Sequence, residues 1–349
     1  MAPQCKNVAR NRPGIAQLYG AAVTAIVCCL GLTLAACHSE IATSPEVHLP
    51  EGIVTHDDGR LPIEKLFAAY LGLVDRGWHL DVIAESQPAG TAAPLPIIAL
   101  RSPRPGTAVW ILSGIHGEEP AGPNAIAAAV EDLAGLGERM PVVLVPLSNP
   151  QGYVRNWRYL NTPEYSETIE GESVGDSSHL LPESEDSGMP RAAAASSPEA
   201  DALTRYLVRL AESYPPRYSI DLHEDDYIAE GYVYSQSELG VNDHFAIEAI
   251  KVLGENGIPI KLAGQTRFGE DIVGGIIGPV NDSSIDELIE ARKIVLDGRI
   301  QAGPAARTVL VFETPAKDVE LAQRTAAHVA LLRRLAALIA SEPGSTPPP

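Results

Sequence analysis

Between Val109 and Gly122 the chain reads Val-Trp-Ile-Leu-Ser-Gly-Ile-His-Gly-Glu-Glu-Pro-Ala-Gly. The apolar run Val109 to Leu112 has the character of a buried strand, and Ser113-Gly114 ends it. Pro120 opens the following helix, where a missing N–H costs least. A strand passing into a helix through a tight polar loop sets His116 and Glu119 at a strand's carboxyl end, which is where open α/β sheets hold their ligands.

The flanking pattern repeats this alternation. Ile63 to Trp78 carries apolar residues at helical spacing (Leu66, Phe67, Tyr70, Leu71, Val74). Leu95 to Leu100 and Ala108 to Leu112 read as strands, Ala125 to Leu136 as helix and Pro141 to Leu147 as strand. Residues 161–197 dissolve into Ser, Glu, Pro and Gly, a loop length expected of a functional or disordered segment. Ser197-Pro198-Glu199 then signals a helix start through Leu210. Tyr218 to Leu222 and Gly231 to Tyr234 are predicted strands, Phe245 to Leu253 and Ser284 to Val295 helices. Thr308 to Phe312 is a strand, and Val319 to Ile339 a long final helix. Most of the strands are continuously apolar, so the expected fold is α/β: a mixed, mostly parallel twisted sheet with helices on both faces.

The two ends differ from this body. Lys6, Arg10 and Arg12 precede an apolar run from Ala21 to Ala36 that leads into Cys37, the layout of a secretory signal over residues 1–36. A short uncleaved membrane anchor is the other reading of the same run. Leu34-Ala35-Ala36-Cys37 resembles a bacterial lipobox, which implies cleavage before Cys37, lipidation of its thiol, and an exported protein held on a bacterial membrane. All four cysteines lie in or beside this segment, so a disulfide framework and a cysteine-built zinc site are both excluded. Removing residues 1–36 takes away Lys6, Arg10 and Arg12 and no acid, so the formal charge goes from −19 to −22. A surface of that sign repels nucleic acid. Residues 37–60 read as a lipidated tether, residues 61–342 as the folded domain, and residues 343–349 as a disordered tail.

Two later strand ends complete a constellation with His116 and Glu119: Ser219-Ile-Asp-Leu-His223 and Thr308-Val-Leu-Val-Phe-Glu313. Catalytic zinc is held by three protein ligands, with a fourth position left to water. His116, Glu119 and His223 supply such a set, and they point to a zinc hydrolase with one Zn2+ ion. Glu313 ends a strand apolar enough to be driven into the core, where a charge needs a partner or a task. Asp221 lies two residues before His223 on the same strand face and could orient it. His179, in the long loop, is a spare metal-ligand candidate, with a solvated histidine as the plainer reading.

His-Gly-Glu-Glu, Asp-Leu-His and the strand-final Glu resemble the zinc carboxypeptidase family, whose superfamily includes the aspartoacylase and succinylglutamate desuccinylase amidohydrolases. Asn149-Pro-Gln-Gly-Tyr153 is similar to its Asn-Pro-Asp-Gly-Tyr segment, and Ser196-Ser-Pro-Glu199 to its Ser-x-Pro-Glu helix start. The similarity spans about residues 95 to 335. It implies that His116, Glu119 and His223 bind zinc and that Glu313 is the general base, which later passes its proton to the leaving amine. Arg158, with Arg155 second, is the choice for contact with the oxyanion or a substrate carboxylate, beside Asn156. The family's Asn-Arg pair has no counterpart after residue 36, and Gly175-Asp-Ser-Ser-His179 stands where it would fall. No tyrosine lies between Tyr234 and Glu313, which weighs against a plain C-terminal exopeptidase. Glu224 and Asp225, with Asp226, are expected to favour a substrate amine. The implied substrate is a peptide, which the exported address makes a cell-wall peptide, or alternatively an N-acyl amino acid. A binding lipoprotein that kept the fold and lost catalysis is the reading from another class.

Overall fold

The computed structural model describes residues 47–86, 93–160, 171, 173–184 and 187–341. The signal segment, Cys37 and the 343–349 tail lie outside these residues, as do parts of the 161–197 loop.

In chain order the elements are α1 (Ile63–Leu71), β1 (His79–Ser86), β2 (Leu95–Arg101), β3 (Ala108–Ser113), α2 (Ala121–Ala128), α3 (Val130–Arg139), β4 (Val142–Val145), α4 (Pro150–Arg155), α5 (Pro198–Leu210), β5 (Pro216–Asp225) and β6 (Tyr232–Ser235). They continue with α6 (His244–Glu255), β7 (Ala263–Gln265), β8 (Asp271–Val273), β9 (Ile276–Ile277), α7 (Ile285–Glu290), β10 (Lys293–Leu296), β11 (Arg299–Ala302), β12 (Thr308–Pro315) and α8 (Leu321–Ser341). One sheet holds ten of the strands in the order β1-β2-β4-β3-β5-β12-β6-β9-β8-β7. Its centre, β4-β3-β5-β12, is parallel throughout, and antiparallel pairs flank it. This is the mixed α/β sheet expected from the sequence.

The continuous apolar strands are explained by two cores. Val109 and Ile111 of β3 pack on one face with α1, α2, α3, α6 and α8, while Ala108, Trp110 and Leu112 pack on the other with α5 and α7. Successive side chains alternate across a strand, so every position is buried somewhere. The chain leaves β3 toward β4 on one side, and β5 and β12 lie on the other. The β3/β5 boundary is therefore a topological switch point, where a crevice opens beyond the strand ends.

Several local expectations are corrected. The helix read over Ala125 to Leu136 is two helices, broken at Ala129 (φ −104, ψ 12). The helix read over Ser284 to Val295 stops at Glu290, and Lys293–Leu296 pairs with Arg299–Ala302 around Asp297 and Gly298. Both turn residues have positive φ (51 and 71), as a two-residue hairpin turn requires. Residues 47–60 are not a free tether: Val47, Leu49 and Ile53 pack on the core, and Arg60 is buried. The described part of the 161–197 loop is also packed, with Val174, Leu180 and Leu181 buried.

His328 of α8 is fully buried, 3.0 Å from the Thr314 hydroxyl, with its ring edge on Phe312. Burial, helped by Arg324, lowers its pKa to about 3. Below the unfolded value of about 6.5, the unfolded chain takes up a proton that the folded chain refuses. Stability should therefore fall with pH from about 6.5 toward about 3, by about 1.4 kcal/mol per pH unit for this group. Urea midpoints of the wild type and His328→Gln at pH 7 and pH 5 check this: the variant should lose the part of the acid sensitivity carried by one proton.

Candidate metal centre

β3, β5 and β12 run parallel and end together, so their carboxyl termini deliver side chains to one place. Gly114 turns the chain out of β3 at φ +63, a conformation suited to glycine. The loop then brings His116 and Glu119 over the end of β5. Glu313 on β12 stands directly opposite His223 on β5 in the sheet register.

The contacts converge on the Glu119 carboxylate. Its Oε1 lies 2.8 Å from His116 Nδ1, and its Oε2 lies 2.9 Å from His223 Nδ1. The backbone N–H of Glu224 donates to Oε2 at 3.2 Å, and Arg158 Nη1 donates to Oε1 at 3.0 Å. One ligand atom from each of His116, Glu119 and His223 lies within 4.8 Å of the others. Burial would raise the Glu119 carboxyl, but the two imidazoles hold it well below the usual carboxylate range. Burial and then Arg158 lower His116 to about 4, leaving it neutral as a ligand must be. For His223, burial is overridden by Asp221 and Glu119, and its pKa is raised. His223 Nε2 lies 3.0 Å from Asp221 Oδ2, which fixes the ring so that Nδ1 faces Glu119.

Glu313 is 9% exposed, its Oε2 has no hydrogen-bond partner, and burial pushes its carboxyl up to about 8. It lines the same cleft as His116, Glu119, Arg158 and His223, a space of about 780 Å³. Two imidazoles and a carboxylate in reach of one another, beside an unsatisfied buried carboxylate, fit a catalytic zinc site with an open position.

The sequence-predicted substrate residues fare differently. Arg158 lines the cleft, gripping Glu118 as well as Glu119. Asp225 also lines it, accepting from the Tyr232 hydroxyl at 2.6 Å. Arg155 is corrected: it lies outside the cleft lining and donates to the Leu160 carbonyl at 3.3 Å. Asn156 is corrected too, because its side-chain oxygen is taken by Arg60. Glu224 edges the cleft, but its carboxylate accepts from the Ala121 N–H at 2.7 Å, at the positive end of α2, and pairs with Arg324. It is therefore committed to the scaffold rather than to a substrate amine. His179 is buried against α5, 3.3 Å from Asp201, and belongs to no metal-binding group among the described residues.

Other residues escaped the sequence reading. Arg60 donates to the Tyr153 carbonyl at 2.7 Å and to that of Gly117 at 3.4 Å, tying the metal loop to α4. Asp286, buried at the start of α7, groups with Asp221 and His223, and burial raises its carboxyl. Its signal was present as Ser284, which caps Glu287, but that marks a helix start and not a site. In Asn149-Pro-Gln-Gly-Tyr153 the asparagine caps α4 through Gly152 and donates to the Arg158 carbonyl at 3.1 Å, so the segment positions Arg158.

A sheet of this order with its cleft beyond β3, β5 and β12 has the architecture of the metallo-carboxypeptidases. The solved structures it is similar to carry that fold. A candidate metallopeptidase from Shewanella amazonensis SB2B superposes with a TM-score of 0.60 at 23% identity, covering 77% of this chain and 90% of that one. A second, from Shewanella baltica OS155, gives 0.60 at 24%, covering 79% and 92%. A metallo-carboxypeptidase from Burkholderia cenocepacia gives 0.51 at 18%, covering 79% and 68%. In sequence, 61 residues are 39% identical to "Probable carboxypeptidase 2" of Trichophyton verrucosum (strain HKI 0517), covering 16% of this chain and 12% of that protein. The aligned stretch is thus only a small part of that relative. No family model matches the chain.

Proposed function

We propose that this protein is a zinc-dependent metallohydrolase that cleaves a peptide or amide bond, with His116, Glu119 and His223 holding one ion. The observation that carries the reading is the pairing of that donor set with Glu313, buried and unsatisfied, across the β5/β12 register. Zinc there would supply a polarised scissile carbonyl and a water whose pKa is lowered to about 7. Glu313 takes the proton of the attacking water and hands it to the departing amine. Arg158 has one terminal nitrogen on Glu118 and Glu119, and guanidinium N–H groups in excess of those two bonds to stabilise the carbonyl oxygen as it gains charge. Asp221 holds the far edge of His223, and Asp286 lies within 4.8 Å of both.

The N-terminal sequence supports an exported protein anchored through lipid on Cys37, and that address makes cell-wall peptides the natural substrates to test beside N-acyl amino acids. Purified protein should take up one zinc per chain and hydrolyse members of one of these two classes, with activity lost to a chelator and restored by zinc. Zinc-loaded protein inert on both classes would sink the reading.

A further inference from the structure

With zinc on its Nδ1, the His223 ring keeps one N–H, on Nε2. That edge of the ring faces Asp221, whose Oδ2 lies 3.0 Å away. A second cavity, of about 1120 Å³, opens on this side. Asp221 does not line the substrate cleft, but it lines this cavity together with Asp176, Asp282 and Asp286. Among the described residues, no lysine or arginine lines it. Two of the four acids are already served. Asp176 accepts from the Ser178 N–H and hydroxyl at 3.0 and 2.7 Å, and Asp282 from the Ser284 N–H at 3.0 Å. Asp221 and Asp286 are not.

Asp221 is fully buried and Asp286 is 4% exposed. Apart from the His223 contact, neither oxygen of Asp221 has a hydrogen-bond partner, and neither has Asp286 Oδ1. One oxygen of each carboxylate lies within 4.8 Å of the other. An acid in the first turn of a helix is favoured by the positive helix end, which accounts for Asp286 on α7 but leaves these oxygens bare. The neighbouring cations are already matched. Zinc and Arg158 together would carry three positive charges, against the three carboxylates Glu118, Glu119 and Glu313. The one N–H of a neutral His223 serves a single oxygen of Asp221. Two buried carboxylates this close repel each other unless a proton or a cation stands between them. A cation about 2.3–2.6 Å from each oxygen bridges a gap of 4.8 Å. Ligands made only of carboxylate and water oxygen suit calcium or magnesium, and the open cavity admits the water that completes such a shell.

We propose that the unpartnered oxygens of Asp221 and Asp286 bind a hard divalent cation, calcium or magnesium, at a second metal site that ties the end of β5 to the first turn of α7. The neutral state of His223 in this argument rests on the zinc assignment above. The test uses zinc-loaded protein, titrated calorimetrically with calcium chloride and, separately, with magnesium chloride. At least one of the two should bind as one further ion per chain with Kd below about 1 mM, the weak end of oxygen-built sites. A concentration about tenfold above that Kd should raise the thermal midpoint by about 3 °C. Asp286→Asn keeps the shape of the side chain and removes its charge. It should weaken binding at least about tenfold and cancel the shift, with zinc still at one ion per chain. Asp176→Asn, in the same cavity but on a carboxylate already hydrogen-bonded, should leave binding within about twofold of wild type. Neither ion binding below about 1 mM overturns the proposal, and is the result a proton shared by the two carboxylates predicts. Binding that Asp286→Asn leaves intact, or that Asp176→Asn weakens as much, overturns it too, since counterions gathered by an acidic surface behave that way. The hydrolase reading fails separately: a protein that binds calcium or magnesium through Asp286 yet cleaves nothing with zinc bound keeps this site and loses the activity.

Discussion

Glu313→Gln should lower kcat by about 10³-fold while leaving zinc stoichiometry and KM close to wild type. Glutamine has the shape of glutamate and fills the same buried position, but it has no basic oxygen with which to take a proton. Positioned proton transfer is typically worth 10² to 10⁴ in rate. Glu313 is not among the grouped metal-binding atoms, so the ion should remain. Stability should hold or rise in the variant, because wild-type Glu313 is buried with Oε2 unsatisfied and burial opposes its charge. Thermal unfolding, metal analysis and steady-state kinetics on one preparation would read all three quantities. Activity within a few fold of wild type would remove Glu313 from the base role.

The two histidine ligands and the base were legible because each follows an apolar strand that fixes its direction. Val-Trp-Ile-Leu before His116, Ile-Asp-Leu before His223 and Val-Leu-Val-Phe before Glu313 all have to enter the sheet, so their polar termini have to emerge at its edge. Residues set by long-range packing were not legible. Arg60 follows Asp57-Asp58-Gly59, which reads locally as a solvated turn, and nothing nearby signals that its guanidinium inserts between Gly117 and Tyr153. Glu224 opens an acidic run whose local reading is a free charged edge. Only the fold shows that α2 begins beside it and that Arg324 of α8 reaches it. The break at Ala129 lies among good helix formers, so tertiary packing rather than propensity divides α2 from α3. The Asp297-Gly298 turn was written in the sequence, but the apolar spacing before it matched a helix more readily than a short strand.

Gly117→Ala should disable the centre without touching a proposed ligand. A Cβ at this position would stand 2.0 Å from the carbonyl carbon of Gly152 and 2.4 Å from the Trp157 carbonyl oxygen. Both obstacles are backbone, and the Asn149 cap and the Arg60 bonds hold that backbone in place. No rotamer change relieves the clash, so the loop carrying His116 and Glu119 must lift away from α4. Overpacking against an immovable wall costs about 3 kcal/mol, and displaced support of metal ligands typically costs 10- to 100-fold in affinity. Gly135→Ala is the matched control, since its added Cβ meets nothing within 4 Å inside α3. That change should stabilise by about 0.5–1 kcal/mol through helix propensity and leave zinc affinity alone. Urea unfolding and competitive zinc titration of the two variants therefore separate loop geometry from general glycine effects. If Gly117→Ala bound zinc as tightly as Gly135→Ala, the contact between the His116 loop and Gly152 would not be what fixes the ligands, and the strand ends alone would have to set the geometry.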